Sequence, residues 1–156
     1  MINVGVIGAG GIAGAHLPAY AALDGVQVVA LCDKDPARAR GEGRDIQINV
    51  ETGGGTAVQA KAYTDYHELV ADPEIDVVDI CLPTFLHADV AVAALEAGKH
   101  VLCEKPMALT VAECDRMLAA AEKSGRILMV AHCIRFWPEY LALKAEIESG
   151  KLGKLL

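Results

Sequence analysis

Three small residues near the N-terminus have the spacing that lets a backbone approach a phosphate group closely. They are Gly8, Gly10 and Ala13, in the stretch G-A-G-G-I-A. The apolar run before them, residues 2–7, predicts a buried strand, and residues 12–23 after them predict a helix. In such a turn the first glycine permits a tight bend, the second leaves space beside the backbone, and the alanine lets the helix lie close to the strand. The start of the helix then offers N–H groups and the positive end of its dipole to an anion.

An acidic residue follows at the distance that binding of a nucleotide ribose requires. A second apolar run, Val26 to Cys32, ends at Asp33, 20 residues beyond Ala13. A carboxylate there accepts hydrogen bonds from the adenosine ribose of a bound dinucleotide. A purely structural turn is the alternative, because any tight strand-to-helix turn favours glycine. The order strand, glycines, helix, strand and acid favours the dinucleotide site, whose expected contacts are Gly8, Gly10, Gly11, Ile12, Asp33 and Lys34.

The same acid predicts which dinucleotide binds. The charge of Asp33 repels a 2′-phosphate, so we expect NAD rather than NADP. Lys34 and Arg38 lie close in sequence and weaken that preference, so use of NADP stays open. We expect no metal ion.

Composition limits the classes of function. The 156 residues are 53% hydrophobic and carry a net charge of −7, which suits one domain with a core and argues against nucleic acid or an anionic membrane as partner. No apolar run reaches the roughly 20 residues of a membrane span, and no basic stretch precedes an apolar one at the N-terminus. The five cysteines form no C-x-x-C pair. We therefore expect a cytoplasmic protein with reduced cysteines.

Strand-like and helix-like segments alternate along the chain, which predicts an α/β fold. With right-handed crossovers it is a Rossmann-type, doubly wound parallel sheet of about six strands in the order 3-2-1-4-5-6. The expected strands are 2–7, 26–32, 61–63, 75–82, 100–103 and 127–131. A capping box at Thr110 and Glu113 predicts a helix to about residue 124, and a last helix is expected from Trp137. Residues 41–60 are rich in glycine and without apolar period, which predicts a mobile loop.

Polar segments follow several of these strands, at the sheet edge where such folds bind ligands. Besides Gly8 and Asp33, they are Leu82-Pro83-Thr84 and Glu104-Lys105-Pro106. Lys105 is the candidate for chemistry, because its ammonium can hydrogen-bond a substrate hydroxyl and hold charge as that oxygen loses its proton. From its position alone, Lys105 fits a solvated lysine at a strand end equally well.

Several of these motifs, in this order, resemble the Gfo/Idh/MocA family of NAD(P)-dependent oxidoreductases. They are Gly8-Ala9-Gly10, Asp33, Pro83-Thr84 with His87, and A-G-K-H-V-L-C-E-K-P-M-A-L-T at 97–110. The resemblance runs from Ile2 to about Leu156. It implies that Lys105 takes part in catalysis and substrate binding and that Glu104 shapes the turn beside the nicotinamide. It also places Leu82, Pro83, Thr84 and His87 near the cofactor, although a packing or capping role for His87 is at least as good a reading.

The resemblance also implies a second domain, which family members use for substrate contacts, for an aspartate–histidine pair and for oligomer contacts. We expect residues 1–134 to form the dinucleotide-binding domain and 135–156 to lead toward a substrate domain that this chain lacks. The implied reaction is hydride transfer between the nicotinamide and a hydroxyl-bearing carbon of a sugar, cyclitol or related polyol, in a homo-oligomer. The alternatives are a non-catalytic NAD(H)-binding module and a reductase of a ring carbonyl. His16 and His67 are read as ordinary helix histidines, solvated or in the core.

Overall fold

The computed structural model describes residues 1–42 and 60–154. These residues form six strands, six helices and two 3₁₀ turns (Thr84–Leu86 and Cys133–Phe136). The strands are β1 (Ile2–Ile7), β2 (Val26–Cys32), β3 (Lys61–Tyr63), β4 (Val77–Ile80), β5 (His100–Cys103) and β6 (Leu128–Val130). The helices are α1 (Ala13–Ala21), α2 (Pro36–Ala39), α3 (Tyr66–Ala71), α4 (His87–Glu96), α5 (Val111–Ser124) and α6 (Pro138–Glu148). The predicted loop at 41–60 lies, apart from its ends, outside the described residues.

All six strands are parallel and lie in the order β3-β2-β1-β4-β5-β6, which confirms the predicted sheet. All six end in one row, since Tyr63 of β3 lies opposite Cys32 and Val130 of β6 lies opposite Cys103. Ile7 lies opposite both Cys32 and Ile80, and Ile80 lies opposite Cys103. The next residue of each strand therefore leaves the sheet at the same level. From β2 to β5 this row covers three strand spacings, roughly 14 Å.

The apolar side chains form one core on each face of the sheet, because strand side chains alternate in direction. Val4 and Val6 of β1 pack with Leu17 of α1 on one face. Ile7 belongs to the other core, which residues of α3, α4 and α5 cover. The buried Lys99, after α4, is bonded to the segment between α3 and β4. Its ammonium donates to the carbonyl oxygens of Asp72 (2.7 Å) and Ile75 (2.8 Å).

Local signals in the sequence explain where several helices begin. The Asp35 side chain caps α2, the Asp65 side chain caps α3, and the predicted capping box of Thr110 and Glu113 is present at α5. β4 is shorter than the predicted 75–82, because Ile75 instead closes a turn onto the carbonyl of Asp72. No helix in the described part of the chain is both long enough and apolar enough to span a bilayer.

Candidate active site

A cavity of about 620 Å³ opens at the edge of the sheet where the strands end. Its lining includes most of the residues that the sequence predicts to contact a dinucleotide: Gly8, Gly10, Gly11, Ile12, Asp33, Lys34, Leu82 and Pro83. Further side chains that were not predicted complete it, among them Thr64, Tyr66, Phe85 and Leu86. Of the other predicted residues, Thr84 begins the 3₁₀ turn after β4, whereas His87, Glu104 and Lys105 lie beside the cavity and outside its lining.

Positions 8 and 10 of the turn differ in why they carry glycine. Gly8 has a φ of 95°, and a Cβ there would lie 2.6 Å from the carbonyl oxygen of Cys81. The fold itself therefore requires glycine at position 8. Among the described residues, a Cβ on Gly10 would meet nothing closer than 3.9 Å, where the Nη1 atom of Arg38 lies. The packing of residues 1–42 and 60–154 therefore gives no reason for glycine at position 10, and Gly10 lines the cavity.

Asp33 connects the end of β2 to this turn. Its Oδ2 accepts a hydrogen bond from the backbone N–H of Ala9 (3.0 Å), and its Oδ1 accepts one from the backbone of Asp35 (3.0 Å). Each carboxylate oxygen keeps lone pairs for further donors. The carboxylate is thus held in a fixed orientation at the cavity and can still accept hydrogen bonds from ribose hydroxyls.

The start of α1 and one arginine bring groups that attract anions to this end of the cavity. Within the described residues, no side chain caps α1 and no acidic residue lies in its first turn. The guanidinium of Arg38 is more than half exposed, and its Nε lies 3.9 Å from the carboxylate of Asp35. An anion between α1 and Arg38 would meet helix N–H groups on one side and a cation on the other.

His87 joins the two loops that follow β4 and β5. It is 1% exposed. Its Nε2 lies 2.8 Å from the carbonyl oxygen of Leu82, and its Nδ1 lies 2.9 Å from that of Pro106. Because a carbonyl oxygen only accepts hydrogen bonds, the ring donates to both only when both of its nitrogens carry protons. The position of His87 thus supports the packing role: it sets the spacing of the loops beside the cavity.

Lys105 lies at the end of β5 with its side chain about half exposed. Glu104, before it, is buried, and its Oε2 accepts a hydrogen bond from the backbone N–H of Lys105 (3.1 Å). The same oxygen lies 3.8 Å from the Lys105 Nζ. The carboxylate therefore holds the lysine backbone and faces its ammonium, while the ammonium keeps access to solvent.

A buried polar cluster beneath Glu104 was not predicted. Asp79 of β4 is fully buried, and its Oδ2 contacts His16 Nδ1 (2.8 Å) and the hydroxyl of Tyr20 (3.0 Å). The other ring nitrogen of His16, Nε2, lies 3.1 Å from Glu104 Oε1. One signal was present in the sequence, namely an acid in the middle of the apolar run I-D-V-V-D-I-C-L, since a buried carboxylate needs a partner.

Part of this cluster has the donor types that bind metal ions. His16, Asp79 and Cys81 offer atoms within 4.8 Å of one another. Hydrogen bonds account for the proximity, because His16 and the Cys81 thiol both contact the Asp79 carboxylate. Burial raises the pKa of the Cys81 thiol, and the charge of Asp79 adds to the rise. Because these hydrogen bonds already pair its donor atoms, we interpret the group as a hydrogen-bonded cluster.

Comparisons with known proteins agree with this geometry. The model of the Gfo/Idh/MocA family, described as an oxidoreductase family with an NAD-binding Rossmann fold, matches residues 2–132. The inositol 2-dehydrogenase of Salmonella paratyphi B is 40% identical over 99% of this chain, which corresponds to 44% of the relative's length. The chain thus spans less than half of the length of that relative.

Solved structures give the same result. The crystal structure of myo-inositol 2-dehydrogenase from Lactobacillus plantarum superposes with a TM-score of 0.83 at 25% identity, over 99% of this chain and 43% of that one. A mutant 3-ketoreductase from Actinomadura kijaniata, crystallised with TDP-benzene and NADP, superposes with a TM-score of 0.81 at 29% identity, over 99% and 46%.

Proposed function

Because the chain belongs to the Gfo/Idh/MocA family of NAD-binding oxidoreductases, we propose that it is the cofactor-binding part of a polyol dehydrogenase. The reaction is hydride transfer between nicotinamide and a hydroxyl-bearing carbon of a cyclitol, sugar or related polyol. The observation that carries this proposal is the common level at which β1, β2, β4 and β5 end. Asp33, the glycine turn and Lys105 follow β2, β1 and β5, so along this edge they stand in the order in which we assign adenosine ribose, pyrophosphate and substrate to them.

We assign each part of NAD to a group in or near the cavity. We assign the pyrophosphate to the space beside Gly10 at the start of α1, and the adenosine ribose to Asp33. The nicotinamide then lies toward the loops after β4 and β5, which include Pro83, Thr84 and Glu104. His87 acts there through the loop carbonyls that it contacts. When bound, the nicotinamide supplies the acceptor for the hydride.

Lys105 is assigned the role of catalytic residue. Its ammonium donates a hydrogen bond to the oxygen of the reacting hydroxyl and stabilises the charge that develops as this oxygen loses its proton. One lysine does not both donate to that oxygen and accept its proton. We therefore place the proton acceptor in a part of the protein beyond this chain.

The surface of the chain supports a longer, two-domain protein. We propose that residues 1–134 form the dinucleotide domain and that 135–156 lead to a substrate domain. In α6 the apolar side chains of Tyr140, Leu141, Leu143 and Ile147 are all exposed, as a helix that packs on a further part of the protein requires. An apolar groove of about 280 Å³ between α1 and the strands β5 and β6 adds to this surface. We further propose a homo-oligomer in the cytoplasm, which suits the free cysteines of the chain.

The test compares residues 1–156 with the product of the complete reading frame, using NAD and a panel of cyclitols, hexoses and linear polyols. We expect the short chain to bind NAD(H) weakly and to form no NADH, whereas the complete protein reduces NAD with at least one member of the panel. Turnover by the short chain would show that the active site is complete within it. Tight NAD(H) binding by the complete protein without turnover on any polyol or ring ketone would favour the non-catalytic module.

Cofactor preference gives a second prediction. The oriented carboxylate of Asp33 should make NAD bind more tightly than NADP, by about tenfold or more, because a 2′-phosphate would be repelled. Titration of both cofactors at moderate salt measures the ratio. The Asp33→Asn variant should reduce the preference for NAD over NADP. Arg38→Ala should increase this preference, because it removes the nearby cation that would attract a 2′-phosphate. Tighter binding of NADP to the unmodified chain would overturn the assignment of Asp33.

A further inference from the structure

His16 is the centre of a chain of contacts that leads from the core to Lys105. Its Nδ1 lies 2.8 Å from the Asp79 carboxylate, and its Nε2 lies 3.1 Å from Glu104. The exposed fractions of the side chains are 0% for Asp79, 11% for Glu104 and 17% for His16. Both partners of the imidazole are thus carboxylates with almost no access to water.

The charge state follows from this arrangement. An ionised carboxylate only accepts hydrogen bonds, so a ring that satisfies both must donate from both nitrogens, as an imidazolium does. A single cation between two buried anions also reduces the cost of burying them. The hydrogen bond to Asp79 raises the pKa of His16; partial burial opposes this rise, and the hydrogen bond to Glu104 adds to it.

The other titratable groups around His16 do not replace it. Tyr20, on the same helix, donates to Asp79, and burial raises the pKa of this phenol. Burial also raises the pKa values of the thiols of Cys81 and Cys103 at the ends of β4 and β5. His132 lines the apolar groove that also borders His16. Only His16 supplies a donor to the Glu104 Oε1 atom among the contacts of the described residues.

Glu104 transmits this contact to Lys105. Its Oε1 faces His16, while its Oε2 accepts from the Lys105 backbone (3.1 Å) and lies 3.8 Å from the ammonium. One carboxylate therefore uses its two oxygens for two different partners. If Oε1 lost this donor, the carboxylate would be free to rotate, and Oε2 would no longer hold Lys105 in place.

We propose that His16, as an imidazolium held between Asp79 and Glu104, is a positioning residue that acts through Glu104 to orient Lys105. The inference rests on the proposed function of Lys105. Among the described hydrogen bonds, the His16 side chain contacts Asp79, Glu104 and Cys81 and neither the glycine turn nor Asp33, so we expect its effect on turnover and not on the affinity for NAD.

Two variants separate the two contacts of the ring. In His16→Asn the side-chain amide takes the place of Nδ1 and keeps the Asp79 contact only, whereas in His16→Gln it reaches the place of Nε2 and keeps the Glu104 contact. In the complete protein we expect kcat to fall by on the order of 10²-fold in His16→Asn, as displacement of a catalytic group does. His16→Gln should recover a large part of that loss. Tyr20→Phe, which removes another hydrogen bond to Asp79, is the matched control and should keep wild-type turnover.

The pH dependence of kcat distinguishes a positioning role of His16 from a purely structural one. Because the pKa of His16 is raised, the imidazolium persists above the usual histidine range and is lost as the pH rises through the raised value. The kcat of the wild type and of Tyr20→Phe should then fall as the pH rises through this value, whereas the kcat of His16→Asn should show no such fall.

A second measurement needs no variant. Ring ¹⁵N chemical shifts of His16 in the 156-residue chain should show both nitrogens protonated at neutral pH.

The outcomes distinguish this inference from the function on which it rests. Full turnover of Lys105→Ala would refute the role of Lys105 itself. A large loss in Lys105→Ala together with unchanged kcat in His16→Asn would refute only the positioning role. A neutral His16 ring at neutral pH would refute it as well, even if the variants fold poorly.

Discussion

Replacement of Lys105 by alanine in the complete protein should lower kcat for NAD-dependent polyol oxidation by about 10³-fold, within the range for loss of a proton-transfer or charge-stabilising group. The affinity for NADH should change by less than about threefold, because Lys105 lies outside the lining of the cofactor cavity. Steady-state turnover and a separate NADH titration measure the two effects independently.

Two matched variants make this result specific. Lys123→Ala removes an exposed lysine from the last turn of α5, far along the chain from the loop after β5, and should leave kcat unchanged. Lys105→Arg keeps the positive charge but replaces the compact ammonium by a longer, planar guanidinium whose donors lie in different positions. It should recover little activity. A kcat within about twofold of wild type in Lys105→Ala would mean that Lys105 is a solvated surface residue.

The second large effect concerns Gly10. Its replacement by valine should lower the affinity of the 156-residue chain for NADH by about 10²-fold or more, because the new side chain occupies the place of the pyrophosphate. The fold should persist, since a Cβ there meets no atom of the described residues closer than 3.9 Å. Calorimetric titration measures the affinity, and thermal unfolding measures the stability of the same sample.

Gly8→Ala is the contrasting variant in the same turn. Its Cβ would lie 2.6 Å from the Cys81 carbonyl oxygen, at a φ of 95°. We expect a loss of about 1–3 kcal/mol in the free energy of unfolding, and therefore a lower melting temperature. If Gly10→Val instead bound NADH normally, the glycine pattern would be a structural turn only.

The strand order and the position of the cavity can be predicted from the sequence, because the patterns that indicate them are short and continuous in the chain. Each strand is one short apolar run, and the helices α2, α3 and α5 begin at capping side chains that stand next to them in the chain. Parallel strands with right-handed crossovers then permit few arrangements. Gly8 and Asp33 could be placed together for the same reason, since β1 and β2 are neighbours.

The cluster around His16 could not be predicted in this way. His16 is 63 residues from Asp79 and 88 from Glu104 in the chain. Their contact depends on where α1 crosses the sheet and on which way each side chain points. Neither is encoded in the period of apolar residues. The sequence therefore predicts an ordinary helix histidine at position 16, whereas the structure places His16 between two buried carboxylates.

The claim that the cavity at the carboxyl edge of the sheet binds a dinucleotide is tested most directly by titration of NADH into the 156-residue chain, with ADP-ribose as competitor. We predict one NADH per chain, displaced by ADP-ribose because both place a pyrophosphate beside Gly10. A folded chain that takes up no NADH at millimolar concentration, or whose NADH is not displaced by ADP-ribose, would contradict this account.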